Sequence, residues 1–253
     1  MGDIDSKLPK ISVVTVCYNA ELFIEDTIRS VINQTYENIQ YIVIDGQSKD
    51  QTMSIIQGYK NHINVLLSEP DGGIYDAMNK ALDYVSGTWV IYLNAGDTFH
   101  HSNTIFDIFN AGYDTSNVHF IYGDTIGMEN KIEKAVLKPL DLKHFWKRIP
   151  ICHQSCFIRT DIQRSNYYSL NYKVSSVYDF FYKCYLQGFS FKYIPVTISK
   201  YDLNGYSSLS LLWLWDYTRI SLNYSKGKRL KVLVKICSYF VVRSFIYLKR
   251  KLL

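Results

Sequence analysis

Two stretches of this 253-residue chain concentrate groups able to do chemistry: Ser68-Glu69-Pro70-Asp71-Gly72-Gly73-Ile74-Tyr75-Asp76-Ala77-Met78-Asn79-Lys80, and Leu93-Asn94-Ala95-Gly96-Asp97 just beyond it. Carboxylates, glycines, amides and an ammonium group lie close together in the chain. Oxygen donors of this kind suit a hard divalent cation. Such a cation can bridge to a diphosphate, with Lys80 or a helix N-terminus helping to hold the phosphates. No Gly-x-Gly-x-x-Gly follows the first apolar run and no Gly-Lys-Ser/Thr loop is present, so the signatures of dinucleotide and P-loop sites are missing. Cys152-His153 and Cys156 are zinc-ligand types, but no second pair completes a tetrahedral site.

These groups need a scaffold, and the hydrophobic pattern predicts one. Ile11 to Cys17 is a β-branched run that reads as a buried strand stopping at Tyr18-Asn19. Leu22, Ile24, Ile28, Val31 and Ile32 have helical spacing over Glu21 to Gln34. Strands follow at Tyr41 to Ile44, Asn64 to Ser68 and Trp89 to Leu93, with helices at Thr52 to Tyr59 and Tyr75 to Val85. This alternation predicts an α/β fold, a Rossmann-like, mostly parallel central sheet flanked by helices. Ligands of such sheets bind beyond the carboxyl ends of the strands. Tyr18-Asn19, Asp45-Gly46, Glu69-Asp71 and Asn94-Asp97 each follow a strand and are therefore expected on one rim. Taken singly each has a plainer role: Asp45 a turn starter, Asn94 and Asp97 helix caps, Lys80 a surface charge. Their coincidence on one rim is what points to a site.

The second half is less regular. A helix is expected at Thr104 to Phe109, strands at Phe120 to Gly123, His153 to Ile158 and Phe191 to Ile198, a hairpin over Thr125 to Leu137, and a helix at Tyr178 to Gln187. Helices are then expected at Leu209 to Tyr217 and Leu230 to Leu248.

The ordered motifs resemble the family 2 glycosyltransferases with the GT-A fold, of the type found in bacterial capsule, O-antigen and exopolysaccharide assembly. The residues that carry the resemblance are Ile11 through Asn19, Ser30-Val31-Ile32-Asn33-Gln34-Thr35-Tyr36, Ile44-Asp45-Gly46-Gln47-Ser48-Lys49-Asp50-Gln51-Thr52, Ser68 to Lys80 and Leu93 to Asp97. The match is dense over residues 9–110 and loose over 150–205. It implies a GT-A domain over 1–205, with a nucleotide-sugar half (1–100) and an acceptor half (101–205). It implies inverting transfer of a sugar from a nucleotide diphosphate sugar, a UDP-sugar first among donors, to a hydroxyl of a lipid-linked saccharide, with Mg²⁺ or Mn²⁺ as cofactor.

By the same resemblance, Tyr18 and Asn19 meet the nucleobase and Asp45 meets the base or ribose. Asp71, Asn79 and Lys80 lie near ribose and diphosphate. Asn94-Ala95-Gly96-Asp97 occupies the place of an Asp-x-Asp motif, with Asn94 on the donor and Asp97 as metal ligand. The motif departs from its usual form at Asn94 and Gly96. The general base is expected just before or at the start of the helix near Tyr178. Val177 stands where relatives carry an acid, which leaves Asp179. His153 and Gln154 are expected on the acceptor side. These departures keep a second reading open, a non-catalytic nucleotide-sugar or glycan binding protein. A sugar nucleotidyltransferase should carry a Gly-rich basic loop after the first strand, and Tyr18-Asn19-Ala20 is not one.

Charge and composition bound the setting. Hydrophobic residues make up 47%, enough for a folded core. The 22 tyrosines suit sugar binding, a membrane interface or the core alike. The net charge of +5 conceals ten Lys or Arg and no acid from Tyr217 to Leu253, against 18 basic and 23 acidic residues before it. Residues 206–253 thus read as basic amphipathic helices that associate with an anionic membrane surface, or else pack on the body. No base-reading motif accompanies the charge, so nucleic acid is not an expected partner. Five scattered cysteines and a short polar N-terminus suit a reducing compartment. The expected location is cytoplasmic, peripheral on the inner face of the cell membrane.

Overall fold

The computed structural model describes residues 8–110, 112–203 and 212–224, together with 227, 230 and 234. The helix expected over Leu230 to Leu248 otherwise lies outside the described residues. Nine strands form one mixed sheet: β1 (Ile11–Cys17), β2 (Ile39–Asp45), β3 (Val65–Ser68), β4 (Trp89–Tyr92), β5 (Thr98–Phe99), β6 (Phe120–Glu129), β7 (Ile132–Leu137), β8 (Cys156–Arg159) and β9 (Phe191–Asp202). Their order is β3-β2-β1-β4-β8-β6-β9-β5, with β7 hairpinned onto β6. The first four are parallel, as the strand–helix alternation requires. From β8 onward the sheet turns mixed: β8 is antiparallel to both β4 and β6, while β6 and β9 are parallel.

The helices are α1 (Ile24–Ile32), α2 (Thr52–Gly58), α3 (Ile74–Ala81), α4 (Thr104–Phe109), α5 (Thr160–Ser165), α6 (Ser176–Leu186) and α7 (Leu212–Tyr224). Strand alternation divides the core in two. Val14, Val16, Ile42, Ile44, Val90 and Tyr92 face the layer containing α3 and α6. Val13, Tyr41, Val43, Trp89, Ile91 and Leu93 face the layer of α1, α2 and α4. Because both faces are covered, the central strands are apolar almost throughout. The parallel register sets Cys17 beside Asp45 and Asp45 beside Ser68, so the three strand ends form one rim.

Three expectations are adjusted. His153–Ser155 is a short 3₁₀ turn and the strand begins only at Cys156. β9 runs four residues past Ile198 and β6 six past Gly123. The first helix of the basic tail is part of the body: Asp216, Ile220 and Ser221 of α7 are buried, and Tyr217 stacks on Tyr178 of α6 at 4.3 Å between ring centroids. The four described cysteines are free thiols.

Candidate active site

The loops after β1 and β2 are laced together. Asn19 adopts a left-handed φ of 47°, accepts a hydrogen bond from Lys49 N at 2.8 Å through Oδ1, and donates its own N–H to Ser48 Oγ at 2.8 Å. Asp45 is fully buried. Its Oδ1 accepts from Ser48 Oγ, and its Oδ2 accepts from Ser48 N at 3.0 Å and Ser68 Oγ at 2.6 Å. Asp45 therefore braces the rim from behind. Burial, reinforced by the Asp45 charge, pushes the Cys17 thiol well up. The open surface belongs to Tyr18, 62% exposed, and Asp71. A Cβ on Gly46 would lie 2.6 Å from Asp71 Oδ2 and 3.3 Å from Tyr18 Cδ2, so a flat ring and a carboxylate converge over this glycine.

Asn79 and Lys80 do other work. Asn79 Nδ2 donates to Tyr168 O and its Oδ1 accepts from Tyr168 N, both at 2.9 Å, so its amide clamps α3 to the segment before α6. Lys80 Nζ donates to Pro70 O at 2.8 Å and pairs with Glu69 at 2.8 Å and with Asp76 at 3.6 Å. Both hold the entrance of α3 to its neighbours.

The Asn94–Asp97 segment is a tight turn closed by Asp97 N–H donating to Asn94 O at 2.9 Å. Gly96, its third residue, has φ 103°. A turn of this form needs positive φ there, which favours glycine over a side-chain-bearing residue. The departure at Gly96 is thus a requirement of the turn. Thr27 of α1 steadies it, with Oγ1 donating to Asp97 O at 2.8 Å and accepting from Gly96 N at 3.0 Å.

The turn opens on a cavity of about 750 Å³ lined by Asn94, Asp97, His153, Gln154, Ser175, Val177 and Asp202, among others. Asp97 is buried, and desolvation pushes its carboxyl up to about 7, helped by the charge of Asp202 and opposed by hydrogen bonds from Gln154 and the Asp202 backbone. Gln154 Nε2 donates to Asp97 Oδ2 at 3.1 Å, and Cys152 Sγ donates to Gln154 Oε1 at 3.2 Å, fixing the orientation of the amide. Asn94 Oδ1 is buried and has no hydrogen-bond partner among the described residues. An orphaned amide oxygen beside a carboxylate of raised proton affinity is a donor set that suits a hard cation. Among the described residues, no cluster of three His, Cys, Asp or Glu forms a complete metal cage. Protein ligands would be completed by substrate oxygens and water.

His153 lines the cavity with a buried ring. It stacks on Tyr92, its Nε2 lies 2.9 Å from Tyr168 Oη, and burial takes its pKa down to about 3, so the ring is neutral. Asp179 is the residue expected as the base. It does not line the cavity; its carboxylate bonds Tyr224 of α7 and faces Lys183, and burial pushes its pKa up. Val177 does line it. Two residues advance a helix by about 200°, so Asp179 points away from where Val177 points. The carboxylate that joins Asp97 is Asp202, at the end of β9. Only the four extra residues of β9, which carry no motif, bring it there.

Residues 12–159 match the family described as Glycosyl transferase family 2. The chain is 25% identical over 233 residues, covering 89% of it and 90% of the relative, to a PGL/p-HBAD biosynthesis glycosyltransferase of Mycobacterium bovis. It is 38% identical over 92 residues, about a third of each chain, to the putative teichuronic acid biosynthesis glycosyltransferase TuaG of Bacillus subtilis. In fold it is similar to S. aureus TarS 1-349 in complex with UDP-GlcNAc (TM-score 0.68, 20% identity), covering 83% of this chain and 64% of that one. It is also similar to the mannosyltransferase PcManGT of Pyrobaculum calidifontis in complex with GDP-Man and Mn²⁺ (TM-score 0.67, 15% identity), covering 90% and 70%.

Proposed function

The chain belongs to glycosyltransferase family 2 and has the GT-A fold, and on that premise we propose that it transfers a sugar from a nucleotide diphosphate sugar, a UDP-sugar first, to a hydroxyl of a lipid-linked saccharide in surface polysaccharide synthesis, with inversion. The observation that carries this reading is a cavity lined by two carboxylates, Asp97 and Asp202. The nucleobase lies against Tyr18 and Asp71, with Asn19 and Asp45 bracing the loops that carry it. Asp97 and Asn94 would hold Mg²⁺ or Mn²⁺. That ion, when bound, neutralises charge developing on the leaving nucleoside diphosphate. Asp202 takes the proton of the acceptor hydroxyl. The acceptor oxygen bonds the anomeric carbon as the bond from that carbon to the phosphate oxygen breaks, and the electron pair leaves with the diphosphate. Gln154 orients Asp97, and neutral His153 walls the acceptor side. The basic tail holds the enzyme to the anionic inner face of the cell membrane.

Asn94 and Val177, at positions where acids are usual, favour a second reading, a nucleotide-sugar binder without turnover. Nucleoside diphosphate release with Mn²⁺ across UDP-, GDP- and dTDP-sugars separates the two. The transferase releases nucleoside diphosphate from one donor once a lipid-linked acceptor extract is added. Tight donor binding by calorimetry with no release under any combination establishes the binder.

A further inference from the structure

The lining of the cavity carries two cations that the transfer chemistry leaves unused. Arg148 follows the 3₁₀ helix Leu142–Trp146, and Lys173 precedes α6; both are exposed and both line the cavity. Neither forms an ion pair among the described residues, whereas Lys80, Lys131, Lys134, Lys143, Arg159 and Lys200 all do. An exposed lysine or arginine alone means little. Here the backbone that carries each is fixed from several sides.

Around Lys173, Val174 N–H donates to Asp216 Oδ2 of α7 at 3.0 Å, Tyr75 Oη of α3 donates to Val174 O, and Asn79 clamps Tyr168. Before Arg148, Phe145 is fully buried and stacks on Tyr182 of α6 at 5.7 Å, Tyr178 Oη donates to Phe145 O, and Arg148 N–H donates to His144 O at 3.1 Å. Three helices thus hold the backbone of two cations, without ion pairs among the described residues, in the lining of a cavity whose Asp97 serves the donor and whose Asp202 serves the acceptor hydroxyl. Cations carried on backbone held in this way bind an oxyanion without the entropy cost of ordering a flexible loop. Guanidinium and ammonium together suit a phosphate or carboxylate.

We propose that Arg148 and Lys173 form an oxyanion subsite that receives an anionic group of the acceptor, either the phosphate that joins a saccharide to its lipid or the carboxylate of an acidic sugar. The assignment rests on reading the cavity's second half as the acceptor side. The probes are geranyl phosphate against geraniol, and methyl glucuronide against methyl glucoside. Each is titrated into the full chain with and without saturating UDP and Mn²⁺.

At least one anionic probe binds about tenfold or more tightly than its neutral match, and added salt erodes that preference. Which pair discriminates names the source of the anion. Arg148→Gln and Lys173→Gln each remove most of the preference while the Kd for UDP stays within about twofold. Equal binding of anionic and neutral probes overturns the subsite. So does a UDP affinity that falls in step with either substitution, since the cations would then serve the donor diphosphate. A wild-type chain that discriminates the anions but binds none of UDP, GDP and dTDP leaves the subsite standing and removes the transferase reading instead.

Discussion

At the residue scale the site turns on Asp97. Folding raises its carboxyl from an ordinary 3.8 to about 7, because burial opposes the charge. The folded state therefore keeps a proton that the unfolded chain gives up. The associated stability is fully present below about pH 4 and is lost as pH rises toward 7. Cation-free protein should lose denaturant stability between pH 5 and pH 8 in excess of Asp97→Asn, which removes this component. A matching pH dependence in the two proteins would show that Asp97 is not the titrating group. Divalent ion competes with that proton, so Mn²⁺ affinity should rise through the same range. Gly96 tests the turn. A Cβ there meets only Phe23 Cβ at 3.9 Å, so space is open and only the φ of 103° opposes substitution. Gly96→Ala should cost about 1 kcal/mol in chemical denaturation; an unchanged midpoint would mean the turn relaxes freely. Asp97 and Gln154, both named from sequence, meet in space. Asp45 and Asn79 were legible as members of the region, but not the saturation of their polar atoms by Ser48, Ser68 and Tyr168, which depends on contacts distant in the chain. The surroundings of Asp179 were not legible because a helix start at Tyr178 leaves the register free, whereas buried Tyr178, Phe181 and Tyr182 fix it and turn Asp179 toward α7.

At the scale of elements, α1 positions the turn through one hydroxyl. Thr27 is fully buried and serves both Asp97 O and Gly96 N. Thr27→Val keeps the shape but leaves both groups without that partner, at a cost of about 1–3 kcal/mol. Thermal unfolding should show the loss, and Mn²⁺ affinity should weaken with it; wild-type values for both would remove α1 from the support of the site. The four parallel strands were readable because a strand buried on both faces is a β-branched run with few rivals. The later strands were readable in place, the hairpin over Thr125 to Leu137 included, but not in extent. β7 is exposed along its whole length, so it carries no alternation of burial. The end of β9, Ser199-Lys200-Tyr201-Asp202, is polar enough to read as loop, yet it is held in the sheet by pairing with β6 and β5. Asp202 was hidden for that reason.

For the whole molecule, the chain divides into an acidic body and a basic tail, and α7 belongs structurally to the body. Trp215, 66% exposed, faces outward from α7. Among the described residues, no helix is long and apolar enough to cross a membrane. Attachment, on the proposed reading, comes from the basic residues after Tyr224, each worth about 1 kcal/mol near an anionic surface. Removing residues 225–253 spares Asp216 and its bond to Val174, so donor binding should survive while sedimentation with phosphatidylglycerol vesicles is lost; undiminished sedimentation would place the attachment elsewhere. The reaction centre itself is tested by nucleoside diphosphate release with Mn²⁺, donor and acceptor extract, measured side by side for wild type, Asp97→Asn, Asp202→Asn and Asp179→Asn. Release should fall by about 100-fold or more in the first two variants and stay within about threefold of wild type in the third. Wild-type release from Asp202→Asn, with activity lost in Asp179→Asn, would contradict the two-carboxylate cavity and return the base to α6.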